Sequence, residues 1–144
     1  MPRKASSHPT ELELEILKVL WRTGPATVRA VREALGAGAA GGPPRELAHT
    51  SVMTVMTIMT NKGDLRRRKA EGGFVYQPKA PRESTVGRML RDLVDRAFAG
   101  SAGAAMLNLL NTSDVSPDEL KALRSLIEEK EKQAPGRTTR QPRE

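Results

Sequence analysis

From Val52 to Thr60 the chain repeats an apolar–Met–Thr triplet three times, inside the stretch TSVMTVMTIMTNKG. This repeat suits only one regular backbone. A strand alternates its faces with period two, so the triplet would put valine, isoleucine and methionine on both sides with no alternation. A helix advances about 100° per residue, and a three-residue repeat then lags by about 60° per cycle. With Val52 at zero, Val55, Met56 and Met59 fall within about 60° of it, and Thr50, Thr54, Thr57 and Asn61 gather on the opposite side. Met53 and Ile58 flank that polar side. The spacing predicts a helix with one apolar face and one face of small hydroxyls and an amide. Ser51 and Lys62, at its two ends, are counted with the second face.

A hydroxyl face of this kind lets a helix approach another object closely. Threonine hydroxyls and Asn61 can meet phosphates or base edges, and the methyls of threonine and Met53 can touch thymine. The alternative is a solvent-facing surface that is Thr-rich by accident. Threonine is a poor helix former, which favours contact with the major groove of DNA.

The flanking segments support this reading. Thr10 and Glu13 have capping-box spacing at the head of TELELEILKVLW, where Leu14, Leu17, Leu20 and Trp21 follow at helical intervals. Thr27 can cap a second helix with Val28, Val31, Ala34 and Leu35 on one face and Gly36 as its terminator. GAGAAGGPPREL has no periodicity and reads as a flexible loop. After Gly63, DLRRRK–AEGG–FVYQP reads as strand, turn, strand. Alternation places Arg66 and Arg68 on one face of the first strand, with Arg67 and Lys69 on the other. A charge run on an edge strand also guards against aggregation; next to the threonine helix, phosphate contact is the better account. Three helices followed by a basic hairpin are the order of a winged helix.

Beyond Pro81 the pattern changes. Val86, Met89, Leu90, Leu93, Val94, Ala97 and Phe98 form an apolar stripe ended by Gly100. Ser101 can cap a helix carrying Met106, Leu107 and Leu110. Ser116, Pro117 and Glu119 open a last helix whose inner face holds Leu120, Leu123 and Ile127. Three short amphipathic helices are too small for an independent core, so they either pack on the winged helix or pair with a second copy. Pairing is favoured, because one recognition helix reads only a few base pairs and a two-fold dimer doubles the site. The fold class expected is therefore mainly α (α+β). Residues 10–80 form a winged helix-turn-helix with a small β-hairpin wing, and 81–132 form a helical dimerisation region. Residues 1–9 and 133–144 read as disordered tails.

Composition narrows the partners. With 24 Lys+Arg against 17 Asp+Glu the formal net charge is +7, which suits a polyanion. Cysteine is absent, which excludes disulfides and thiolate metal sites. His8 and His49 sit in a tail and at a helix start, with no constellation that would make either a catalytic base. No cofactor, no metal site and no enzymatic activity are expected. The N-terminus lacks the apolar run of a signal peptide, and no run approaches the length of a membrane span, so no membrane insertion and a cytoplasmic location are expected.

LEILKVLWRTGPATVRAVREAL, RELAHTSVMTVMTIMTNKG, LRRRKAEGGFVYQP and LNLLNTSDVSPDELKALRSLIEEK, in this order, resemble the penicillinase-repressor family of bacterial winged-helix regulators. The resemblance covers most of the chain between Thr10 and Lys132. It implies a homodimeric repressor of palindromic operators in double-stranded DNA, dimerised through its C-terminal helices. It also implies relief of repression through a membrane sensor metalloprotease, with cleavage at an Asn–Phe bond matched here by Asn108–Leu109. The chain departs from the family pattern at Leu109, at Ile58 and Gly72 (where basic residues are common), and in a longer loop before Arg45. It lacks the cysteine cluster of the copper-responsive branch. The competing reading is an architectural or non-specific nucleic-acid-binding protein, favoured by the basic tail and the missing cations at 58 and 72.

Overall fold

The computed structural model describes residues 8–133, so the expected tails lie outside it except for His8, Pro9 and Gln133. The elements are α1 (Glu11–Thr23), α2 (Val28–Gly36), α3 (His49–Lys62), β1 (Leu65–Ala70), β2 (Gly73–Pro78), α4 (Arg82–Ala97), α5 (Ala102–Thr112) and α6 (Pro117–Gln133). The architecture is mainly α with a two-stranded antiparallel wing.

Local signals set most of the boundaries. Thr10 Oγ1 accepts from the Glu13 amide at 3.2 Å while Glu13 Oε1 accepts from the Thr10 amide at 3.0 Å. This reciprocal box satisfies two backbone groups that a helix start leaves open. Thr27 caps α2 and Ser101 caps α5 through the same three-residue reach. Ser116 and Glu119 form a second capping box, at 3.1 and 3.0 Å. The end of α2 differs from expectation. Gly36 is still helical, and the left-handed turn is made by Gly38 at φ +73°.

The core of the first part joins α1, α2, α3 and the wing. Ile16, Val31, Val52, Met56 and Met59 are fully buried, with Leu17, Leu20, Leu35, Leu65 and Tyr76 around them. A third strand-like element has no signal in the sequence pattern. Ala26 pairs with Tyr76 through two backbone bonds, Ala26 N–H to Tyr76 O at 3.0 Å and Tyr76 N–H to Ala26 O at 2.8 Å. This bridge fastens the α1–α2 turn to the wing's inner strand.

The glycine-rich loop is tied at several points. Arg22 Nη1 donates to Ala39 O at 2.7 Å, Arg32 Nε to Leu47 O at 2.7 Å, and the Arg45 amide to Leu35 O at 2.9 Å. Arg45 Nε also reaches Glu15 Oε1 at 2.8 Å, and this bond to the carboxylate pushes the guanidinium pKa further up.

The chain divides into two compact units between Leu93 and Val94, inside α4. The first turns of α4 belong with the winged helix for a visible reason. Trp21 Nε1 donates to Ala80 O, two residues ahead of α4, at 3.1 Å, Thr85 in the first turn is buried, and His8 Nε2 lies 3.4 Å from Asp92. The second unit holds the end of α4 with α5 and α6, and its side chains are largely exposed.

Candidate nucleic-acid interface

The geometry of α3 follows from its sequence period. Val52, Met56 and Met59 are buried and Val55 packs against the same core. The outer arc carries Thr50, Ser51, Met53, Thr54, Thr57, Ile58 and Asn61, all exposed. Thr60 belongs to neither set: its hydroxyl donates to Met56 O at 2.8 Å, a back-bond that occupies it within the helix. The buried side fixes the helix from behind and leaves the hydroxyl arc free for a ligand.

Lys62 does not join that arc. Its Nζ lies 2.8 Å from Oε1 of Glu13, which is 5% exposed, and 3.7 Å from Oδ2 of Asp64. The pairing ties the end of α3 to the start of α1. Sequence pattern carries no sign of this pairing, since the two residues are far apart in the chain and both lie at helix ends where charge is ordinary.

The wing directly follows α3. Antiparallel pairing runs from Leu65↔Pro78 through Arg67↔Tyr76 to Ala70↔Gly73, with Glu71 and Gly72 at the tip. Gly72 has φ +84°, in the region where a side chain is strained. Leu65 and Tyr76 anchor the root of the hairpin in the core. Arg66, Arg67, Arg68 and Lys69 are all exposed, as a wing with only its root buried requires. The four are not equivalent. The Arg67 guanidinium carbon sits 4.2 Å from the centroid of the Phe74 ring, a cation–π arrangement that holds this side chain along the wing. Among the described residues no carboxylate forms an ion pair with Arg66, Arg68 or Lys69. Small hydroxyls on a rigid helix beside unpaired cations on a projecting hairpin can read base edges and grip phosphates respectively.

The residues expected at a dimer contact divide between the units. On α4, Val86 is half-buried while Leu90 and Leu93 are exposed. In the second unit Leu107, Leu110, Leu120, Leu123 and Ile127 are all exposed, Leu107 to 64%. Asn108 and Leu109 lie within α5, and the Asn108 carbonyl accepts from Thr112 Oγ1 at 2.7 Å. Among the described residues no three His, Asp or Glu side chains are grouped so as to hold a metal ion.

Comparison with known proteins gives the family of the chain. The family model described as Penicillinase repressor matches residues 9–129. The transcriptional regulator BlaI of Mycobacterium tuberculosis (strain H37Rv) is 34% identical over 123 residues, 84% of this chain and 83% of the relative. The penicillinase repressor of Bacillus licheniformis is 23% identical over 120 residues, 83% of this chain and 89% of its own. The methicillin resistance regulatory protein MecI of Staphylococcus aureus (strain N315) is 20% identical over 118 residues, 82% and 91% of the two chains.

Proposed function

Because the chain belongs to the penicillinase repressor family, we propose that it is a DNA-binding transcriptional repressor acting as a homodimer on palindromic operators. The observation that carries this reading is the exposed hydroxyl arc of α3, held from behind by the core and followed at once by the cationic wing. In this mechanism α3 enters the major groove, where Thr50, Thr54, Thr57 and Asn61 meet base edges. Arg66, Arg68 and Lys69 contact flanking phosphates, which adds affinity without sequence information.

The exposed leucines and Ile127 of the second unit supply the reason for dimerisation. Soluble monomers seldom leave so many large apolar side chains of one small unit in water, and a second copy is the partner that a palindrome requires. Two linked winged helices then bind half-sites about one helical turn, or a multiple of it, apart. The place of action is the compartment that holds the DNA, and no helix among the described residues is long and apolar enough to cross a membrane.

Relief of repression by a membrane sensor metalloprotease would act at Asn108–Leu109. That bond lies inside α5 with its carbonyl held by Thr112, so the helix must open locally before a protease can grip it. Mass spectrometry of the repressor during induction tests this step: an intact chain under full derepression excludes it.

The function itself is tested by footprinting the purified protein on genomic fragments with non-specific DNA in excess. Protection of two-fold symmetric sites that survives the competitor supports the repressor. Protection that the competitor abolishes everywhere would make the protein an architectural, backbone-only binder.

A further inference from the structure

Resting on the reading of α3 as the recognition helix, we propose that Ile58 and Met53 make thymine methyl groups the dominant feature this protein recognises in its operator. Ile58 is 46% exposed and Met53 42% exposed, on a helix whose other apolar residues are buried or packed against the core. They stand on opposite flanks of the hydroxyl arc, about 140° apart around the axis and about 7.5 Å apart along it. At that separation they address different base pairs, with the threonine row between them.

The rest of the arc shows what this helix does not read. Guanine is most often recognised by a bidentate Arg or Lys, and the exposed positions His49, Thr50, Ser51, Met53, Thr54, Thr57, Ile58 and Asn61 include neither. Lys62, the one cation of α3, is held at 2.8 Å by Glu13. What remains suits T·A pairs: Asn61 can bond adenine at N6 and N7, while threonine methyls, Met53 and Ile58 offer apolar contact to the thymine 5-methyl group. An isoleucine facing water gains nothing there. Against a thymine methyl it removes apolar surface of both partners from water. Ile58 is thus a specificity-determining residue.

The test begins with the full chain and a pool of random duplexes, from which bound sites are selected and sequenced. The strongest duplex is then resynthesised with deoxyuridine replacing thymidine one position at a time, which removes only the methyl group. Wild-type affinity should fall about fourfold at each methyl that α3 covers, the value of one buried methyl-sized group. Ile58→Ala should bind the thymine and uracil duplexes alike at one of those positions, and Met53→Ala at another. Both side chains are exposed, so the variants keep the wild-type fold, which thermal unfolding checks. The proposal is overturned by selected half-sites read mainly through guanine, by wild-type affinity that ignores uracil throughout, or by full methyl sensitivity in both variants. A pool yielding no preferred sequence would instead remove the repressor reading, and this inference with it.

Discussion

Lys62 Nζ and Glu13 Oε1 lie 2.8 Å apart although 49 positions separate them in the chain. The pair joins the last residue of α3 to the first turn of α1, and the same Glu13 oxygen accepts from the Thr10 amide. A single carboxylate thus completes a helix cap and orients the far end of α3.

Removal of the lysine should therefore cost stability rather than DNA affinity. Lys62→Ala leaves a buried carboxylate short of its cation, and a loss of about 1–3 kcal/mol is expected in denaturant titration. The dependence of DNA affinity on salt should stay at its wild-type slope. A slope reduced by about one would mean that Lys62 touches phosphate after all.

Thr54 and Asn61 should behave oppositely. Both are exposed on the outer arc of α3, so substituting both with Ala should leave thermal unfolding unchanged. Operator affinity should fall by about 1–3 kcal/mol for each well-formed hydrogen-bonded base pairing that the substitutions abolish. Equal affinity of the double variant and wild type in fluorescence anisotropy would disprove the assignment of this arc.

The wing should supply affinity without preference. Arg68→Ala is expected to weaken binding to every sequence alike and to lower the salt slope by about 0.9 per phosphate released. Arg67 is held against Phe74, and Phe74→Ala should alter the slope only through Arg67. A shift in preferred bases with either variant would make the hairpin a reader of sequence.

Dimerisation should depend on the second unit. Leu107 and Leu110 are exposed in the single chain, so replacing both with Asp should spare the fold and give a monomer in sedimentation. Affinity for the full operator should then drop by roughly 10²–10⁴, the avidity of two linked sites. A double variant that still sediments as a dimer would place the interface elsewhere.

Local chemistry made much of this molecule legible in advance. Thr10 with Glu13, Thr27, Ser101, and Ser116 with Glu119 act on amides three residues away, and the winding of α3 assigns each residue to a face by arithmetic alone. Such interactions depend on neighbours in the chain, so sequence determined them. Tertiary structure decided the rest. The Ala26–Tyr76 bridge, the capture of Lys62 by Glu13, and the Trp21–Ala80 bond just ahead of α4 all connect segments remote in sequence. No local pattern distinguishes a lysine facing a phosphate from one facing a buried carboxylate. Only the packing of α1 against α3 puts Glu13 within reach, because an ion pair forms where the folded backbone brings two charges together.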